Sequence, residues 1–251
     1  MGTRLYPQRT AAGLTAIGWV GTPDAAWDTI TDFLNRLMGP TKAGEAQGAG
    51  PRVTPFGTFG LSNVFISPQL MAQTISGTVK AQFKAREFNV ADNTTSAIGI
   101  RVMSADGSVV RGTLLAVGNQ SLPGELVETS THRNKKFAAA TALTPVAALT
   151  GDRICVSIGF THAAGATPEG QLVLGNDSAG DLPEDDTSTA TLDPWIEFSQ
   201  VILFAGTVGP DPGPAGPGEL GSVQSVQGTS IRGGGAHYSK PPPDLHKRFR
   251  R

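Results

Sequence analysis

The chain has a single cysteine, Cys155, in 251 residues, so no intrachain disulfide can form. That thiol sits in the apolar run RICVSIGF. It reads as a small buried hydrophobe on a strand, because a nucleophile would want a nearby His and electropositive surroundings. Aromatic residues make up only 6%, which argues against the exposed ring platforms of a glycan-binding sandwich. Charged residues are scarce at 16% and the formal net charge is −1, so there is no global attraction to nucleic acid or to an acidic membrane. No stretch approaches the roughly 18 apolar residues of a membrane span, and MGTRLYPQRT lacks the apolar core of a signal peptide. The expectation is a soluble product made in a cytoplasm, with no membrane partner.

The motifs of chemistry are missing as well. The histidines, His132, His162, His237 and His246, are isolated from one another and from Cys155, so no zinc spacing exists. The glycines of GAGPR and GTFGLSN are not followed by the Lys-Ser/Thr of a phosphate cradle. There is no Gly-x-Ser-x-Gly elbow, and no carboxylate pair is placed well enough to suggest glycoside hydrolysis. Neither an enzyme nor a cofactor is expected.

What is present is a β pattern with abundant turn residues. Gly (32) and Pro (18) together form about a fifth of the chain. Between them, QTISGTVKAQFKAREF and SAIGIRVMSADGSVVRGTLL alternate apolar and polar residues, and Asp106-Gly107 marks a hairpin turn in the second. GDRICVSIGF puts Ile154, Val156 and Ile158 on one face and Arg153, Cys155, Ser157 and Gly159 on the other. GQLVLGN reads as a short strand, and PWIEFSQVILF as a closing one with Trp195 buried. Short strands with turn clusters and no intervening helices imply an all-β fold, an antiparallel β-sandwich of jelly-roll type with extended N-terminal and C-terminal arms.

Four zones follow. Residues 1–60 form an irregular lead-in, 61–206 the β-sandwich domain, 207–221 a Pro/Gly linker, and 222–251 a basic extended tail. In the lead-in, Trp27, Ile30, Phe33, Leu34, Leu37 and Met38 recur at helical spacing, with Asp24 as a cap and Gly39-Pro40 as a stop. From Thr207 onward six Lys or Arg face three acids, whereas residues 1–206 carry 14 basic and 18 acidic groups. The prolines and glycines of TVGPDPGPAGPGELGS exclude a helix or central strand. In HYSKPPPDLHKRFRR, Pro241, Pro242 and Pro243 favour an extended polyproline segment. Tyr238 and Phe249 could anchor it in apolar grooves, while Arg248, Arg250 and Arg251 pair with a partner's acidic loops.

The acidic run GNDSAGDLPEDD holds Asp177, Asp181, Glu184, Asp185 and Asp186. Carboxylates of this kind can bind Ca²⁺, but the EF-hand spacing is absent, so the run reads as a solvated loop or a docking face for basic tails. HRNKKF, from His132 to Phe137, reads as a solvated loop or interface contact rather than a DNA contact.

TRLY with the following Pro, QTISGTVKAQ, ADNTTSAIGIRVMSADGSVVRGTLL, ALTPVAALTGDRICVSIGF and DLPEDDTSTATLDPWIEFS, in this order, resemble a family of tailed-bacteriophage virion proteins, often described as minor tail or virion structural proteins. The resemblance covers about residues 3–205, and the chain departs from it in the extension after Phe204. It implies strand or irregular structure over AAWDTITDFLNRLMGPTKAG, against the helical spacing. It also implies a non-enzymatic structural subunit of a virion, made in a host bacterial cytoplasm, whose partners are copies of itself and other virion proteins. Head decoration or capsid association is one alternative, and a glycan-binding adsorption module with a host glycan as partner is another. A hydrolase for cell-wall polymers is a more distant reading.

Overall fold

A side-chain period of two commits a segment to a pleat, and this period runs through most of the chain. The computed structural model describes residues 2–12, 27, 29–53, 57–118, 124–126, 133–162, 168–177, 180–184 and 192–206. These form β1 (Thr3–Ala11), β2 (Thr29–Gly39), β3 (Gly48–Val53), β4 (Phe59–Ile66), β5 (Gln73–Ile75), β6 (Thr78–Glu87), β7 (Thr94–Met103), β8 (Val110–Leu115), β9 (Arg133–Ala142), β10 (Val146–Ala148), β11 (Arg153–His162), β12 (Gly170–Leu174) and β13 (Trp195–Phe198), with one 3-10 turn at Val90–Asp92. Met1–Gly209 makes one unit and Pro210–Arg251 another. The tail residues Tyr238, Pro241, Pro242, Pro243, Arg248, Phe249, Arg250 and Arg251, and the acidic Asp185 and Asp186, lie outside the described residues.

The chain is an all-β sandwich. In the first sheet β6 pairs with β9 along one side. Along the other, β12 takes its last residues and β13 its first. Beyond these, β3 pairs with β12 and β1 with β13. The second sheet runs β1, β2, β4, β11, β7, β8. A strand common to both joins them: Thr3–Leu5 of β1 pairs with β13, whereas Tyr6, Pro7 and Ala11 pair with β2 across an irregularity. The ladders are antiparallel apart from β2 with β4, which run parallel. A small β5–β10 sheet closes one end.

Residues 1–60 are therefore not an irregular lead-in but hold β1, β2, β3 and the start of β4, with β1 shared between the sheets. The Asp24 cap lies outside the described residues, and the helical spacing is overturned from Thr29 onward, since Thr29–Gly39 is an eleven-residue strand. Partners on both sides, β1 and β4, satisfy its backbone, and that tertiary pairing outweighs a weak local propensity.

The alternation of β11 separates two cores. Ile154, Val156, Ile158 and Phe160 enter the main core between the sheets, with Phe65 of β4, Ile98, Ile100 and Val102 of β7, and Val79, Ala81, Phe83 and Ala85 of β6. Each such large side chain contributes roughly 1.5–3 kcal/mol by leaving water. Cys155 points the other way, into a smaller cluster with Trp27, Leu61, Val64, Ile66, Ala97 and Met103. There Trp27 meets Phe59 edge-on, with centroids 6.2 Å apart. Burial pushes the Cys155 thiol up to about 12, in keeping with a packing role.

The expected hairpin is the β7–β8 connection. Gly107 takes φ 71°, and Asp106 accepts hydrogen bonds from the Ser104 hydroxyl (2.6 Å), the Ser108 N–H (3.1 Å) and the Ser108 hydroxyl (2.8 Å). These bonds hold its carboxyl down at about 2.

Candidate functional site

The core-facing positions of β6, Val79, Ala81, Phe83 and Ala85, alternate with Lys80, Gln82, Lys84 and Arg86 on the outer face of the first sheet. A lysine directly after a core-facing phenylalanine, as Lys84 is after Phe83, is ordinary on a solvated face. Here, however, Lys84 is only 2% exposed. The connection after β2 and the segment before β13 lie over this face, and their side chains supply the compensation.

Asp181 is the centre of the arrangement. Its Oδ2 accepts from Arg4 (2.5 Å) and from the Tyr6 hydroxyl (3.1 Å), and its Oδ1 pairs with Lys42 (2.8 Å). Lys42 also reaches Asp193 (3.0 Å), which is fully buried. Asp193 Oδ1 accepts from Gln47 Nε2 (2.9 Å) and from the Asp177 N–H (3.0 Å). The Gln47 side-chain oxygen accepts from Lys84. Arg4 adds two donors to Glu197, its cross-strand neighbour, one of them at 2.8 Å. Lys80 pairs with Glu184 at 2.5 Å. Beneath the ions, Trp195 is buried and donates from Nε1 to the Leu182 carbonyl at 2.7 Å, with the Arg4 guanidinium 4.0 Å above its ring.

Burial works against charge at Asp181, but hydrogen bonds from Lys42, Arg4 and Tyr6 outweigh it and hold the carboxyl below the usual aspartate range. Burial likewise opposes the charge of Lys42, which its bonds to Asp181 and Asp193 nevertheless raise. Burial lowers Lys84, against the attraction of Asp177 and Asp193. Chemically this is an ionic clasp. It fastens the first strand, the 42–47 connection, the 176–184 segment and β13 to one face, and its carboxylates are already partnered by cations of the same body.

This revises the reading of the acidic run as a solvated loop or docking face. Asp181 and Glu184 are engaged by Arg4, Lys42 and Lys80, and Asp177 lies beside Asp193 through its backbone. Among the described residues no three His, Cys, Asp or Glu side chains are grouped to hold a metal ion. The sequence did not mark Arg4, Lys42, Lys84, Asp193 or Glu197. The acidic run, through Asp177, Asp181 and Glu184, and the expected burial of Trp195 pointed here. The Arg133–Phe137 part of the basic run lies on β9, paired in register with β6 from Ala85 to Ala81, rather than in a loop.

A buried acid lies at the far end of β6. Glu87 is 1% exposed and accepts the Thr94 N–H at 2.9 Å. Burial pushes its carboxyl up to about 7, against that bond and with the charges of Glu125 and Asp92 adding to the rise.

The opposite end of the sandwich differs in kind. Met71, Val109, Val110, Leu149, Val201 and Leu203 are 41–58% exposed, and among the described residues Val90 alone is another exposed large apolar side chain. The segments that carry them are tied together. Met71 N–H bonds the Leu203 carbonyl (3.0 Å), Leu70 N–H the Asp152 carbonyl (2.7 Å), and Arg111 reaches Asp152 (3.1 Å). Gln73 and Gln200 clamp β5 to the 200–204 segment through their amides. Along that segment Ile202 and Phe204 enter the core while Val201 and Leu203 face out.

No protein-family model matches the chain, and no curated protein sequence matches it. Among solved structures, the chain is similar to a CocE/NonD family hydrolase from Staphylococcus aureus, at 8% identity and a TM-score of 0.42, over 81% of this chain and 36% of that one. It is also similar to the infectious bursal disease virus Gx strain structure, at 10% identity and a TM-score of 0.22, over 61% of this chain and 39% of that one. The VP2 subviral particle of infectious bursal disease virus aligns at 12% identity and a TM-score of 0.19, over 64% and 42% of the respective chains. This chain thus spans well under half the length of each, and likenesses at these scores carry no argument about activity.

Proposed function

We propose that the chain is a non-enzymatic structural subunit of a tailed-phage virion, tail-associated, whose β body packs against neighbouring subunits. The observation that carries this reading is the gathering of six exposed apolar side chains at one end of a body whose outer face is held by its own ions. Apolar surface left in water raises the free energy of a monomer, and a cluster of it is the usual mark of a contact with another protein. Support also comes from the resemblance of residues 3–205 to virion structural proteins and from the Pro/Gly-rich, basic composition after Phe204, which suits an extended contact ordered on assembly. Repetition around a symmetry axis would multiply individually modest contacts.

The test is mass spectrometry of gradient-purified particles produced from the genome that encodes the chain. The chain is expected at a fixed ratio to the major virion proteins, and a version lacking Gly209–Arg251 is expected to fold but to enter particles poorly. Absence of the full chain from particles overturns the reading.

A further inference from the structure

We propose that Lys84 and Gln47 join in an intramolecular amide cross-link, with Asp193 carrying the proton and ammonia leaving. The reaction is the body's own chemistry. It goes beyond the structural role argued above and does not depend on it.

On a solvated surface a lysine and a glutamine meet through water and do not react. Here the amine is shut in. Lys84 is 2% exposed and Asp193 is fully buried. The strand registers explain the position. β12 pairs with β6 as far as Leu172 opposite Ala85, and β13 begins with Trp195 opposite Gln82. Phe83 and Lys84 therefore stand between the two registers. Gln47, just ahead of β3, and Asp193, just ahead of β13, come together with Lys84 there.

The Gln47 amide is fixed from both sides. Its Oε1 accepts from Lys84 Nζ, while its Nε2 donates to Asp193 Oδ1 at 2.9 Å and to the Leu192 carbonyl at 3.2 Å. Asp193 is itself held by Lys42 at 3.0 Å and by the Asp177 N–H at 3.0 Å. A nitrogen bonded to a carbonyl oxygen is also close to the carbon. Holding two reacting atoms roughly 3–3.5 Å apart is worth an effective concentration of about 10⁵–10⁸ M. Burial also lowers Lys84, against the attraction of Asp177 and Asp193, which favours the neutral amine that attacks.

The step balances without a co-reactant. Lys84 gives up its extra proton, and the Nζ lone pair adds to Gln47 Cδ while the carbonyl pair moves to Oε1. A second proton passes from Nζ through the Asp193 carboxylate to Nε2. The pair on Oε1 re-forms the carbonyl, the Cδ–Nε2 bond breaks, and ammonia leaves and takes up the first proton. Nothing is oxidised or reduced, and Asp193 ends as it began. The new amide ties β6 to the connection ahead of β3 and survives unfolding. It restricts the denatured chain as a disulfide does, in a protein that has one cysteine.

The experiment is intact-mass spectrometry of the purified full chain in denaturant, followed by tryptic digestion and fragmentation. The wild type is expected to be lighter than its sequence mass by one ammonia, with a branched peptide joining Gln47 to Lys84 and no tryptic cleavage after Lys84. Lys84→Arg and Gln47→Glu should each show the full sequence mass, because one lacks the amine and the other the amide. Asp193→Asn keeps an acceptor for Nε2 but cannot carry the proton, so it should remain uncross-linked. A wild type at full mass with ready cleavage after Lys84 overturns the proposal, whether or not any variant folds. So does an ammonia loss that maps to another residue. Cross-linking of Asp193→Asn to the wild-type extent overturns the assignment of Asp193.

Discussion

The Arg4 guanidinium lies over the Trp195 ring, 4.0 Å from its centre, while its nitrogens reach Asp181 and Glu197. One side chain therefore covers an indole and joins two carboxylates from separate segments. Arg4→Met keeps the apolar stem but removes the fork, and is expected to cost about 1–3 kcal/mol in urea denaturation. Arg4→Lys should recover only part of that, because an ammonium cannot serve both carboxylates in the same plane. A full recovery by lysine would show that the geometry of the fork is irrelevant.

Acid should loosen the clasp. The folded-state pKa of Asp181 lies below its ordinary value, so its contribution is complete above about pH 4 and disappears as pH falls through the depressed value. Asp181→Asn should therefore be less stable than the wild type at neutral pH, with the gap narrowing in unfolding titrations below about pH 4.

Glu87 should act in the opposite sense. Its folded-state carboxyl titrates at about 7, above the 4.5 of a free glutamate. The folded protein therefore holds a proton that the unfolded chain releases, and stability is lost as pH rises from about 4.5 to about 7, then levels off. Glu87→Gln retains an acceptor for the Thr94 N–H and should flatten this limb. Equal slopes for the two proteins over that window would refute the assignment.

Gly159 has no room for a side chain. A Cβ there would overlap the Gly60 carbonyl oxygen and come within 2.7 Å of the Trp27 ring. Gly159→Ala should cost about 3 kcal/mol or more, read from the midpoint of thermal unfolding.

Cys155 should resist modification. With its thiol pushed up to about 12 and its side chain in the second core, reaction with a thiol reagent at pH 8 should follow global unfolding rather than precede it. Fast labelling of the native protein would place the thiol elsewhere.

The strands of the body were legible where each lay on a two-sided pattern of its own, as in β6, β7 and β11, and the Asp106-Gly107 turn followed from local chemistry alone. Thr29–Gly39 misled because spacing at three and four residues is compatible with a helix until partners on both sides claim the backbone. The clasp was illegible for a related reason. Arg4 and Glu197 stand 193 residues apart, and Lys42 reaches Asp181 and Asp193 only after four segments converge. Counting the acids of GNDSAGDLPEDD located Asp181 and Glu184 but could not reveal Asp193, Glu197 or the cations. The apolar end was hidden because Val201 and Leu203 alternate with Ile202 and Phe204 in a pattern that suits burial on either face.

The strand shared between the sheets also sets a clock. Arg4 of this strand and its partner Glu197 are 193 residues apart, so Ile196–Phe198 are made long after Thr3–Leu5. Until then the sandwich has an open seam, with the main core and an unpaired strand exposed to other nascent chains. A contact of such sequence separation is slow to form. The final closing step, rather than the strength of the finished body, should therefore decide how much chain reaches the assembled state, and cooler synthesis or a holding chaperone should raise that yield.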